Sequence, residues 1–154
     1  MLNGWNGKDI SALELPLHFA ATELATVGEQ HLAYPVLQFF HASDPQKSPI
    51  VQLLRLEQLL ILIAGLSGEA RPPRPAVCGR DSAINSFVAA LPPSFRHDVQ
   101  EPLRVPSLEP LKPCGIPLAP ESEFKRALSA AEDRRWRLAS VLMHDGWDQD
   151  SAGL

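Results

Sequence analysis

The chain has 154 residues, 45% hydrophobic and 21% charged, a balance that excludes a wholly disordered protein and fits one domain around one core. A formal charge of -4 leaves no basic footprint for phosphate backbones, so nucleic acid is not an expected partner. The most apolar run, residues 53–66, is broken by Arg55, Glu57 and Gln58 and falls short of the roughly 20 apolar residues that cross a bilayer.

Residues 1–8, with Gly4 and Gly7 around Trp5 and Asn6, read as a loose leader without the basic-then-apolar order of a signal peptide. Ser11 followed three residues later by Glu14 is a capping-box pattern, so a first helix is expected to open between residues 9 and 16. Pro16 has no amide hydrogen and belongs in its first turn. Residues 30–42, QHLAYPVLQFFHA, are apolar on every side except at His31, Gln38 and His41, as in an element surrounded by protein. A helix kinked at Pro35 is the preferred reading, and a buried strand over 32–40 has the same pattern.

A turn at 43–47 precedes Ser48-Pro49, an N-cap and the residue best tolerated at the first helical position. The helix expected over 49–64 carries Ile50, Leu53, Leu54, Leu56, Leu60, Ile61, Ile63 and Ala64, with Arg55, Glu57 and Gln58 on another side. Gly65, Ser67 and Gly68 end it. Its short connection to the preceding segment predicts an αα-hairpin at the centre of the core.

Eleven of the 15 prolines lie between Pro72 and Pro120, which argues against long regular elements there. One short helix fits residues 81–91, capped by Asp81, with Ile84, Phe87, Val88 and Leu91 in helical spacing. Residues 69–80 and 92–119 read as proline-rich connections. From Ser94 onward an extended strap is expected to dock Leu103, Val105, Leu108, Leu111, Ile116 and Leu118 on a helical surface. The last helix, 120–144, places Glu121 and Glu123 in its first turn. Phe124, Leu128, Ala131, Arg135, Leu138 and Leu142 form its inner stripe, and Lys125, Arg126, Glu132, Asp133, Arg134 and Arg137 read as a solvated face. Residues 148–154 read as a frayed tail. The fold expected is all-α, a single domain over residues 1–154: an irregular helical bundle with an αα-hairpin core and a proline-rich extended strap.

Catalytic motifs are not evident. Gly65-Leu66-Ser67-Gly68 ends a helix and does not open one, unlike a phosphate-binding loop, and neither Ser67 nor Ser82 lies in a nucleophile elbow. Cys78 and Cys114 stand near prolines without a second cysteine at zinc or redox spacing, and they read as free thiols, although a disulfide between them is geometrically open. Glu14 and His18, four apart, are too few for a metal site. No cofactor is expected. The candidate ligand or interaction residues are His31, Tyr34, Phe39, Phe40 and His41: the histidines border the apolar segment and titrate near neutral pH, and the aromatic residues suit either a pocket or the core.

The stretch 29–43, EQHLAYPVLQFFHAS, followed by a polar turn and an apolar helix, resembles a segment found after the pore in bacterial ion channels of the two-transmembrane potassium-channel type. The likeness covers residues 29–64. It implies a cytosolic helical region that accompanies a channel pore, although a pore helix and a selectivity filter are missing from this chain. The expectation is therefore a noncatalytic regulatory or assembly module, cytoplasmic at the inner face of the membrane, beside channel subunits. Self-association is also expected, because residues 30–66 carry more apolar positions than one side of a two-helix hairpin can hide. The alternative is a small-molecule-binding protein or unusual enzyme with its pocket at residues 30–42.

Overall fold

The computed structural model describes residues 14–33, 44–68, 70–71, 74–90, 99–150 and 152–153. Four α-helices account for most of them: α1 Glu14–Ala33, α2 Pro49–Ala64, α3 Arg74–Ala90 and α4 Glu121–His144. No strand forms among the described residues, and the fold is all-α. The helices associate as two pairs, α1 along α3 and α2 along α4, and the pairs meet through contacts of α3 with α4 and α2.

Helix α2 begins where its caps place it. The Ser48 Oγ accepts a hydrogen bond from the Val51 amide at 3.4 Å, and Pro49 occupies the first turn. The same Oγ donates to Asp145 Oδ2 at 3.0 Å, tying the start of α2 to the end of α4. At the opposite end, Leu66 and Leu118 form an antiparallel bridge, with the Ser67 amide donating to the Pro117 carbonyl and the Ala119 amide to the Gly65 carbonyl, each at 2.9 Å. Helices α2 and α4 therefore run antiparallel. Arg71 completes this end by donating to the Ala64 carbonyl at 2.6 Å, one of the acceptors a helix terminus leaves open, while pairing with Glu123 at 3.0 Å.

Val51, Leu53, Leu54, Leu60 and Ile63 of α2 are buried against Leu138, Val141 and Leu142 of α4 and Ile84 and Phe87 of α3. Burying each leucine contributes about 1.5–3 kcal/mol. Gly65 closes α2 in an ordinary right-handed conformation, φ -77°, so its lack of a side chain serves space and not backbone freedom. A Cβ there would stand 2.7 Å from both Leu108 methyls, which the strap presses against the helix end.

The strap runs irregularly from Val99 to Pro120, with one 3-10 turn at Glu109–Leu111. Leu103 and Ile116 are buried, and Val99, Leu111 and Leu118 pack partly on the core, whereas Val105 is 53% exposed and does not dock. Cys114 is a free, exposed thiol.

Four expectations require correction. First, α3 starts at Arg74, so most of the stretch read as a connection over 69–80 is helical. Pro75 falls in the first turn, where a missing amide costs nothing, and the local density of prolines was a poor guide. Second, residues 30–33 are the end of α1 and not the start of a separate element; residues 34–43 lie outside the described residues. Among the described helices α2 pairs with α4 and α1 lies along α3, and the αα-hairpin expected between residues 30–42 and α2 falls largely outside the described residues. Third, the described residues of the tail, 148–150 and 152–153, are packed and not frayed. Ala152 is fully buried and its carbonyl accepts from Arg55 Nη2 at 3.0 Å, while Gln149 Oε1 accepts from the Arg104 amide at 2.7 Å. Fourth, Arg134 is not on the solvated face of α4: its side chain is 12% exposed and pairs with the buried Glu57.

Candidate functional site

Glu57 lies in the second half of α2, and its neighbours three and four residues away, Leu53, Leu54, Leu60 and Ile61, are all buried. That spacing forces its carboxylate into the seam between the two helix pairs, where it is 0% exposed. Its counter-charge comes from α4. Arg134 Nε stands 2.9 Å from Glu57 Oε2 and Nη2 stands 3.3 Å from Oε1, so the guanidinium lies across both carboxylate oxygens. Neither Glu57 Oε2 nor Arg134 Nε has the alignment of a hydrogen bond, and their close approach is an ion pair.

Helix α3 supplies the third side. Arg134 Nη2 is 3.1 Å from Asp81 Oδ1, and Nη1 donates to Asn85 Oδ1 at 3.4 Å. One guanidinium thus joins α2, α3 and α4. Burial pushes the Glu57 carboxyl above the ordinary carboxylate value, opposed by the positive charge and hydrogen bonding of Arg134.

The neighbouring Arg135 faces another way. It is 3% exposed, and its Nη2 donates to the carbonyls of Leu103 and Arg104, fastening the strap to α4. Burial lowers its guanidinium below the ordinary value, and the Glu57 charge opposes the shift.

Beside the Arg134 bridge a slot of about 260 Å3 opens between α2 and α4. Leu60, Ile61 and Ala64 form one wall, and Ala127, Ala130 and Ala131 form the other. Its polar end is Asp81 with Arg134. The slot exists because α4 presents alanines at positions three and four apart, too short to fill the space opposite α2.

Of the five candidate residues read from the sequence, His31 belongs to the last turn of α1, while Tyr34, Phe39, Phe40 and His41 lie outside the described residues. Glu14 and His18 both belong to α1, and the His18 side chain is exposed. The residues that do converge, Glu57, Asp81, Asn85 and Arg134, were absent from that set. The signal for Glu57 was present in its four apolar neighbours. Nothing local marks Arg134, because the partners that bury it are 49 to 77 positions away.

The chain is 26% identical over 141 residues to the uncharacterized membrane protein YdjJ of Bacillus subtilis (strain 168). The match takes in 91% of this chain and 41% of that protein, so the chain spans less than half the relative's length. No family model matches the chain, and no solved structure matches it.

This similarity overturns the potassium-channel resemblance. It extends over most of the chain, where the resemblance rested on residues 29–64, and it leads to a protein named for the membrane and not for a channel. The cytoplasmic expectation falls on the same finding. Among the described residues, no helix is long and apolar enough to cross a membrane.

Proposed function

We propose that this chain is a noncatalytic helical assembly module of a membrane-associated protein, lying outside the bilayer itself. The observation that carries the reading is the similarity to a protein named as a membrane protein over 91% of the chain. The absence of a long apolar helix among the described residues favours a part beside the bilayer and not within it. The charged seam supports a structural role over a catalytic one, because Arg134 is held by Glu57, Asp81 and Asn85 together.

Assembly is supported by α1. His18, Phe19, Thr22, Ala25, Thr26 and Gln30 are exposed along it, and Phe19 is 59% exposed. A module held at a bilayer meets its copies at raised effective concentration, where weak contacts through such a helix suffice. Fractionation of cells expressing the native gene tests the membrane part: the product is expected in the membrane pellet, and recovery wholly in the supernatant counts against it. Cross-linking in the same cells tests assembly, with dimers or larger species expected and an exclusively monomeric band opposing the reading.

A further inference from the structure

We propose that the slot between α2 and α4 is a binding site for a small alkylammonium group, a primary amine carried on a short apolar body. This goes beyond the assembly reading and does not depend on it. The slot's two walls follow the same helical spacing: Leu60, Ile61 and Ala64 sit three, four and seven positions after Glu57, and Ala127, Ala130 and Ala131 sit seven, four and three positions before Arg134. Because α2 and α4 run antiparallel, both sets end at the same place, the Glu57–Arg134 pair. The result is an apolar channel with all its charge at one end.

The charges there are not equivalent. Arg134 is engaged by three partners, and Glu57 spans it from the buried side with no exposure to solvent. Asp81 meets Arg134 through Oδ1 alone and its side chain is 41% exposed, leaving Oδ2 able to accept from a donor entering the slot. Among the described residues, Arg135 is the next cation along α4, and it bonds to the strap and does not line the slot. The available group is therefore an acceptor with negative charge, which favours an ammonium over a carboxylate and over a neutral hydroxyl. The volume limits the rest of the ligand. At about 260 Å3 the slot is smaller than the ~300–1,000 Å3 of sites for drug-sized molecules, and it suits a body of a few carbons.

The test is a methyl-detected NMR titration of the whole chain with n-butylammonium, n-butanol and butyrate. Butylammonium is expected to shift the Leu60, Ile61 and Ala130 methyl signals saturably, with a dissociation constant on the order of 1 mM for so few atoms. Butyrate should leave them unmoved, and butanol should bind at least about fivefold more weakly. Asp81→Asn, which keeps an oxygen for Arg134, should weaken butylammonium about fivefold or more, and Ala130→Leu should abolish binding by filling the slot. The proposal is overturned if butylammonium gives no saturable shift, if butanol matches it, or if either variant, shown folded by its spectrum, binds like the parent.

Discussion

The two helix pairs are held together by different means. The α2–α4 pair is fastened at both ends, by Ser48 to Asp145 and by the Leu66–Leu118 bridge, and the strap and tail are bonded to it through Arg135, Gln58 and Arg55. Its buried side chains come from both helices. Among the described residues of the α1–α3 pair, a Cβ at Gly28 would lie at ordinary van der Waals distance from the Phe87 ring and Val27 packs partly on the core, while most described side chains of α1 face outward. Between the pairs the principal polar tie among the described residues is Arg134. The difference predicts that global stability resides in α2–α4 and that changes on the outer side of α1 leave it nearly untouched.

The largest effect should come from a charge placed in the better-fastened pair. Leu54 is 0% exposed, and Leu54→Asp would put an unpaired carboxylate among apolar side chains. The loss, of about 4–5 kcal/mol or more, is comparable to the whole stability of a domain this size. Circular dichroism should show a chain without a cooperative melt, and a parent-like melt would refute this account of the core.

Breaking the seam should cost less. Glu57→Ala leaves Arg134 with Asp81 as its one carboxylate, and a loss of about 3 kcal/mol is expected, the lower end for removing one partner of a buried pair. Replacing both charges, as Glu57→Leu with Arg134→Met, should recover most of it, since apolar packing commonly equals a buried ion pair. Urea unfolding of the three proteins measures the difference directly; a double variant no better than Glu57→Ala would contradict the pairing. The same carboxylate sets a pH dependence. Its folded value is raised, so between the ordinary carboxylate value and the raised one the native state holds more of the proton than the unfolded chain does. Its contribution is fully present below the ordinary carboxylate value and is lost as pH rises through the raised one. Glu57→Gln should flatten stability in that window, and an unchanged profile would assign the dependence to other groups.

A smaller effect tests the strap's hold on α2. Gly65→Ala drives a methyl group to within 2.7 Å of Leu108, and the side chain must move for about 1–3 kcal/mol. Adding Leu108→Ala should return part of that loss, because the crowding atoms are gone. Losses that simply add would point to backbone conformation instead, although φ at Gly65 is one that alanine accepts.

The contrast between the pairs also explains what could be read from the residues. Helix α2 was legible to its ends, because Ser48, Pro49 and Gly65 act locally and its apolar positions agree with its burial. Helix α4 was legible in its length and inner stripe, Arg135 included, since those follow the helical period. The start of α3 was obscured by prolines whose position, and not number, decides whether a helix forms. Packing of the tail depends on Arg55 reaching Ala152 across 97 positions, which no local pattern encodes. The candidate site escaped for both reasons: Glu57 was grouped by polarity with Arg55 and Gln58 when its spacing placed it among leucines, and the choice of Arg134 over the other charges of α4 depends on where α3 lies.

The smallest expected effect on folding is at Phe19, and there the comparison meets the proposed assembly. It is 59% exposed and its ring stands 6.5 Å, centre to centre, from that of His18, so more than half of its surface stays in contact with water. Phe19→Ala should change unfolding free energy by no more than about 0.5 kcal/mol, as for surface positions generally. An exposed aromatic ring is, however, among the side chains that contribute most when a second copy covers it. If α1 is the contact between copies, the same variant should weaken self-association about tenfold in sedimentation velocity, equivalent to roughly 1.4 kcal/mol. Unchanged association with unchanged stability would move the contact to another surface, and a large loss of stability would mean that α1 belongs to the core as firmly as α2 does.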